Sequence, residues 1–74
     1  MTRLPTLSSS KLLRILHKLG FTEAHRKGSH LFLQHPDGRT TTVPVHKGED
    51  LGRGLLRKIL KDIEMDPEDF QKFL

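Results

Sequence analysis

The chain has 74 residues, 34% of them hydrophobic, with a net charge of +4 and no cysteine. This length allows one small domain with a thin core, which excludes the deep, walled active site of a large enzyme. The absence of cysteine excludes disulfides, thiolate metal sites and cysteine nucleophiles, and no apolar run approaches the ~18 residues of a membrane span. We therefore expect a cytoplasmic protein that folds as a single domain over residues 1–74, with its core at about residues 8–65.

The first predicted element is a helix over about residues 9–19. Serines at 8–10 can cap its start, and apolar residues recur from Leu12 at i, i+4 and i+7, which is one face of a helix. Gly20 follows this stripe and predicts a left-handed C-cap, with Phe21 folding back onto the helix.

The pattern then changes to that of β-strands. Pro36-Asp37-Gly38 predicts a turn, because Pro fixes φ and Gly supplies a positive φ; Lys27-Gly28 is a weaker turn signal. Pro44 cannot donate a ladder hydrogen bond, so its strand is expected to end there or to lie at an edge. Three antiparallel strands are predicted: Phe21 to Arg26, His30 to His35 and Thr40 to Val45.

A second amphipathic helix is predicted over about residues 53–64. Asp66-Pro67 predicts the start of a final helical turn. The fold class is therefore α+β, in the order α-β-β-β-α with an extra short C-terminal helical turn. Both helices are expected on one face of a three-stranded antiparallel sheet, whose other face is open. Three aromatic and apolar residues of the final turn are expected to cap the core: Phe70, Phe73 and Leu74.

Charge is distributed unevenly along the chain. Residues 1–61 hold twelve basic and four acidic side chains, whereas residues 62–74 hold one basic and five acidic ones. A cationic body attracts polyanions, of which nucleic acid is the commonest, although many small proteins are basic without binding any. The second helix carries a basic stripe that is either a solvated face or a track for phosphates: Arg53, Arg57 and Lys61.

Five histidines are the most conspicuous polar residues. Pairing across a turn centred on Asp37 puts His30 opposite Pro44 on the open face of the sheet. Pairing through Lys27-Gly28 brings His25 opposite His30, and extending the register brings His46 to the same end of that face. A slip of one residue would move every side chain to the other face.

Imidazoles beside cations suit RNA cleavage. A base removes the 2′-OH proton, an acid protonates the leaving 5′-oxygen, and a cation stabilises the charge on phosphorus. No metal is required, and DNA is inert because the 2′-OH is the nucleophile. The cations that flank the three histidines in sequence are Arg26, Lys27 and Lys47.

Structural interpretations stand beside the catalytic one. His17 is expected to be an exposed helical residue, and His35 to support the adjoining turn or face solvent. A metal site is disfavoured, because no Asp or Glu is predicted near the histidines and the chain has no cysteine. The segment from Val43 to His46 either ends the sheet or also supplies a second imidazole.

Four motifs between about Ser10 and Met65 occur in an order that resembles the HicA family of toxin components from bacterial toxin–antitoxin pairs. The end of the first helix, Leu19-Gly20-Phe21, also matches this family. The motifs are Gly28-Ser29-His30, His35-Pro36-Asp37-Gly38-Arg39, Val43-Pro44-Val45-His46 and Gly54-Leu55-Leu56-Arg57-Lys58-Ile59-Leu60.

The resemblance implies a fold similar to a double-stranded-RNA-binding domain. It also implies an mRNA interferase, a metal-independent endoribonuclease without a cofactor, whose partner is a HicB-type antitoxin that covers the active face. The catalytic histidine of the family corresponds to His30. The family often has a small polar residue where this chain has Leu55, and the acidic tail after Ile63 is less typical.

The candidate site therefore centres on His30 as general base or acid, with His46 and His25 as candidates for a second acid or base. The glycine and serine before His30 either let the RNA backbone approach and bind phosphate or only make the turn. Two rival hypotheses are a noncatalytic RNA-binding module of the same fold and an interaction protein that docks an acidic partner. The residues assigned to substrate binding are Arg26, Lys27, Gly28 and Ser29.

Overall fold

The structure is a computed structural model that describes residues 3–46 and 48–74. Strands β2, β3 and β4 form one antiparallel sheet in that order, and β1 and β5 form a separate antiparallel pair. The predicted α+β class and α-β-β-β-α order are confirmed, whereas the β1–β5 pair was not predicted. The elements are β1 (Leu7–Ser8), α1 (Ser9–Lys18), β2 (Thr22–Lys27), β3 (His30–Gln34), β4 (Thr40–Pro44), β5 (Asp50–Leu51), α2 (Arg53–Asp62) and α3 (Pro67–Gln71).

The ends of α1 follow from its flanking residues. The Ser8 hydroxyl accepts a hydrogen bond from the Lys11 backbone N–H at 3.2 Å and caps the first turn. After the helix, Gly20 has a φ of +100°, and the Phe21 N–H donates to the Leu16 carbonyl at 3.0 Å. This backbone pattern closes the helix with a left-handed residue, so both predicted signals are confirmed.

One apolar cluster lies between the helices and the sheet. Helix α1 contributes Leu12 and Leu16, α2 contributes Leu56, and the sheet contributes Leu33 and Val43 among others, all fully buried. Burial of such side chains is the main favourable contribution to folding. The alternation along β3 and β4 therefore places one face of the sheet against the helices, as predicted.

The ends of the chain also contribute to this cluster. Leu4 and Phe70 are buried in it, so it draws on residues before β1 and in α3. Phe73 and Leu74 are 40% and 41% exposed, so the prediction that all three residues of the final turn cap the core is right only for Phe70.

The β3–β4 hairpin has the predicted register. His30 pairs with Pro44, Leu31 with Val43, and Leu33 with Thr41. The Gly38 N–H donates to the His35 carbonyl at 2.9 Å and closes the turn.

The β2–β3 register differs from the prediction. Lys27 pairs with His30, and His25 pairs with Phe32, with a register shift between Glu23 and His25. The loop is Gly28-Ser29 rather than Lys27-Gly28, because Gly28 has a φ of +60° and glycine at the first position of a two-residue loop suits a type II′ turn. The prediction that His25 lies opposite His30 is therefore wrong, and Lys27 takes that place.

Candidate active site

The sheet face away from the core, here called the open face, carries exposed or half-buried side chains. Side chains at paired positions share a face, and successive residues alternate between faces. The open face is defined by His25, Lys27, His30, Phe32, Gln34, Thr40, Thr42 and Pro44.

His30 is the first residue of β3 and its side chain is exposed. In the strand register Lys27 lies opposite it on one side and Pro44 on the other. Directly opposed residues have Cβ atoms ~5 Å apart, so the Lys27 ammonium and the His30 imidazole can reach the same bound group. The register thus brings a titratable ring and a cation together at one end of the open face.

The turn before His30 is held in place from two directions. The Arg26 Nε donates to the Gly28 carbonyl at 3.0 Å, and the Val45 N–H donates to the Ser29 carbonyl at 2.6 Å. A Cβ added to Gly28 would meet no atom within 4 Å, so the space beside this glycine is open. Arg26 therefore has a structural contact with the turn in addition to its predicted role in substrate binding.

His25 lies further along the open face. Its ring stacks on the Phe32 ring, with centroids 4.3 Å apart and an interplanar angle of 14°. Phe32 is two residues from His30 on β3, which is ~6.6 Å along a strand. The structure thus places His25 on the predicted face, away from the position directly opposite His30.

His46 follows Val45, whose side chain packs against the core. The His46 side chain is exposed and borders a groove with the serines at 8–10 and the acidic residues Glu49 and Asp50. Lys47, the third cation predicted near the histidines, lies outside the described residues.

Two histidines have structural surroundings. His17 is exposed, and its Nε2 lies 3.3 Å from a Glu23 carboxylate oxygen. His35 has its Nε2 3.2 Å from the Leu19 carbonyl oxygen, and its Nδ1 accepts from the Asp37 N–H at 3.1 Å. His35 therefore joins the β3–β4 turn to the end of α1, which confirms the first of the two roles predicted for it, support of the turn.

Arg39 is a structural residue that the sequence did not reveal. Its Nε donates to Asp37 Oδ2 at 2.7 Å, one terminal nitrogen donates to the Ile63 carbonyl at 2.6 Å, and the guanidinium lies 5.2 Å from the centre of the Phe21 ring. The only sequence signal was its place in the motif after the turn. Arg39 connects this turn to the end of α2.

The basic stripe on α2 is not a uniform phosphate track. The Arg53 Nε donates to the Leu4 carbonyl at 2.7 Å and so anchors the N-terminal segment. Leu55, where the chain departs from the HicA pattern, packs partly buried against the core, which accounts for an apolar residue there.

The described residues hold no group of three His, Asp or Glu side chains that could bind a metal ion. None of the helices they form has the length and apolar character that crossing a membrane demands.

A family comparison identifies the class of protein. Residues 9–65 match the family described as the HicA toxin of bacterial toxin–antitoxin pairs. The match covers most of the chain, and this protein therefore belongs to the HicA toxin family. Membership makes it the toxin component of a pair and implies an antitoxin as its partner. A search of curated proteins found no match.

Proposed function

We propose that this toxin is a metal-independent endoribonuclease that cleaves mRNA in the cytoplasm, with His30 in general acid–base catalysis. The observation that carries the proposal is the position of His30, exposed on the open face and directly opposite Lys27. The partner that neutralises it is a HicB-type antitoxin, which covers this face of the sheet.

The chemistry requires few groups. The His30 imidazole accepts the proton of a ribose 2′-OH, and the 2′-oxygen attacks the adjacent phosphorus. The bond from phosphorus to the 5′-oxygen breaks, and an acid protonates that oxygen. The products are a 2′,3′-cyclic phosphate and a free 5′-hydroxyl. The Lys27 ammonium stabilises the negative charge that develops on the phosphate oxygens.

The turn before His30 supplies the remaining phosphate contacts. The open space beside Gly28 lets the RNA backbone approach the turn, and the Ser29 hydroxyl donates to a phosphate oxygen. Arg26 fixes the turn through Nε and binds phosphate through its terminal nitrogens. This assignment keeps the four predicted substrate-binding residues, with Lys27 nearest to the reacting phosphate.

His46 is the better candidate for the second acid or base. Because the Val45 N–H bonds to the Ser29 carbonyl, His46 directly follows a residue that is anchored to the turn before His30, and its side chain is exposed. His25, by contrast, is stacked on Phe32.

A base and an acid give a bell-shaped dependence of kcat/KM on pH. We expect the pH profile of His46→Ala to lose one of its two slopes. If His25→Ala loses a slope and His46→Ala does not, His25 is the second acid or base instead of His46.

The proposal is tested by cleavage assays on purified parent, His30→Ala and His17→Ala in excess chelator. We expect His30→Ala to lose cleavage by at least ~10²-fold while it keeps its fold and RNA affinity. His17→Ala is the matched control, because it removes an exposed histidine from α1. Cleavage by His30→Ala at the parental rate would contradict the catalytic assignment, and loss of parental activity in chelator would contradict the metal-free mechanism.

The same assays separate the nuclease from a noncatalytic RNA-binding module. A module would bind RNA with an affinity that falls steeply with salt, yet leave the RNA intact. An interaction protein that docks only an acidic partner would show no RNA affinity at moderate salt.

A further inference from the structure

Two aromatic rings occupy the middle of the open face. The His25 and Phe32 rings are stacked at 4.3 Å, and His25 is exposed while Phe32 is half-buried. Phe32 does not belong to the buried core cluster formed by the described residues. A phenylalanine outside the core presents a π-face that can bind a ligand.

The surroundings of these rings are polar and uncharged. The rings border a shallow concavity of about 420 Å³ that also includes Gln34, Thr40 and Thr42. Among the described residues lining it, none is Asp, Glu, Lys or Arg. The β2 carboxylate of Glu23 is directed to His17 on α1. Aromatic faces with amide and hydroxyl groups, and without formal charge, match a nucleobase better than a phosphate.

Cations and rings are separated along the sheet. Lys27 is level with His30 at the turn end, and the His25–Phe32 pair lies two residues further along both strands. This offset is ~6.6 Å, a distance that one nucleotide can span. Single-stranded RNA is commonly bound by such a combination, with cations along its backbone and aromatic side chains stacked under its bases.

We propose that His25 and Phe32 form a stacking subsite for one base of single-stranded RNA, next to the nucleotide whose phosphate lies at His30. The inference rests on the proposed function for the identity of the polymer. The base stacks on the exposed face of the His25 ring, which Phe32 supports from beneath.

The test is a double-mutant cycle between protein ring and RNA base. The probe is a short 2′-O-methyl oligonucleotide, which the nuclease cannot cleave, compared with an abasic oligonucleotide of the same length and charge. The proteins are the full-length parent, His25→Ala, Phe32→Leu and Phe32→Tyr, with His17→Ala as the control for loss of an exposed histidine. Thermal unfolding checks that each variant is folded.

We expect His25→Ala and Phe32→Leu to weaken binding of the base-bearing probe by about 5- to 100-fold. Affinity for the abasic probe should change by less than about twofold, because the phosphate contacts remain. Phe32→Tyr, which keeps an aromatic ring, and His17→Ala should bind like the parent.

Equal losses on both probes, or no loss on either, would overturn the subsite. Variants that lose antitoxin binding while their RNA affinity is unchanged would assign the rings to a protein contact, which would also overturn it. Because the probe is not cleaved, this result is independent of the His30 assay. If His30→Ala cleaves normally and the cycle still shows coupling, only the assignment of His30 as the catalytic residue fails.

Discussion

At the scale of single residues, the position of the His35 ring explains why residue 20 is a glycine. A Cβ on Gly20 would lie 2.8 Å from the His35 Nε2, and the glycine has a φ of +100°. The histidine ring uses this space to reach the Leu19 carbonyl and packs edge-on to Phe21, with centroids 5.1 Å apart. His35, which lies in one of the four family motifs, is thus a packing residue, and a glycine is required at position 20 for both steric and conformational reasons.

Glu64 offers a test of backbone strain. It is the one non-glycine residue with positive φ in the described chain, at +56°, and it ends α2 as Gly20 ends α1: the Met65 N–H donates to the Leu60 carbonyl at 2.9 Å. Side chains are disfavoured in this conformation. We expect Glu64→Gly to raise the free energy of unfolding by about 0.5–1 kcal/mol, measured by urea denaturation.

Glu64→Gln is the control for that substitution. It removes the charge and keeps the strained conformation, so its stability should stay near that of the parent. A gain in Glu64→Gln as large as the gain in Glu64→Gly would attribute the effect to charge rather than to backbone strain.

At the scale of elements, the β3–β4 turn has an acid-sensitive contact. The Arg39 backbone N–H, which donates to Asp37 Oδ1 at 3.0 Å, holds the pKa of the Asp37 carboxyl below its ordinary value, and the Arg39 guanidinium adds to this effect. The folded state therefore releases this proton more readily than the unfolded chain. The resulting stabilisation is complete above the ordinary pKa of ~3.9 and is lost as the pH falls through the lower folded value.

Asp37→Asn tests this pH dependence. We expect it to be less stable than the parent near neutral pH, with a difference that shrinks as the pH falls from about 5 to about 3. Thermal unfolding of both proteins across this range measures the difference. A gap that stays constant with pH would show that the carboxylate charge does not act through this turn.

The registers of the two hairpins show what the sequence could predict. Pro36-Asp37-Gly38 allows one turn, so the pairing of His30 with Pro44 followed from it. Before His30, both Lys27-Gly28 and Gly28-Ser29 can form a two-residue loop, and the irregularity between Glu23 and His25 leaves no periodic signal. The structure adopts the Gly28-Ser29 loop, which places Lys27, rather than His25, opposite the candidate catalytic His30.

At the scale of the whole molecule, long-range hydrogen bonds to carbonyl groups hold the elements together. Arg39 reaches Ile63, Arg53 reaches Leu4, and the Gln71 amide donates to the Arg3 carbonyl at 3.0 Å. Every residue has a carbonyl, so no sequence pattern marks these acceptors. The two-residue strands β1 and β5 escaped prediction because they are too short to show alternation.

The molecule as a whole has two different sides. The helices and core occupy one face of the sheet, while the open face carries His30 and Lys27 at the turn end and the stacked rings beyond them. Under the proposed function, this arrangement would let a small chain perform chemistry on a surface instead of in a pocket. The ribose of the RNA would supply the nucleophile, so that the protein would need only to bind phosphate and move protons.

The most direct test of this account is mass spectrometry of the products when the purified toxin cuts an RNA oligonucleotide in excess chelator. We expect 2′,3′-cyclic phosphate and 5′-hydroxyl ends, and no cleavage when the ribose at the cut position is 2′-deoxy. Products with a 5′-phosphate, or cleavage of the deoxy-substituted oligonucleotide at that position, would contradict proton abstraction from the 2′-OH by His30.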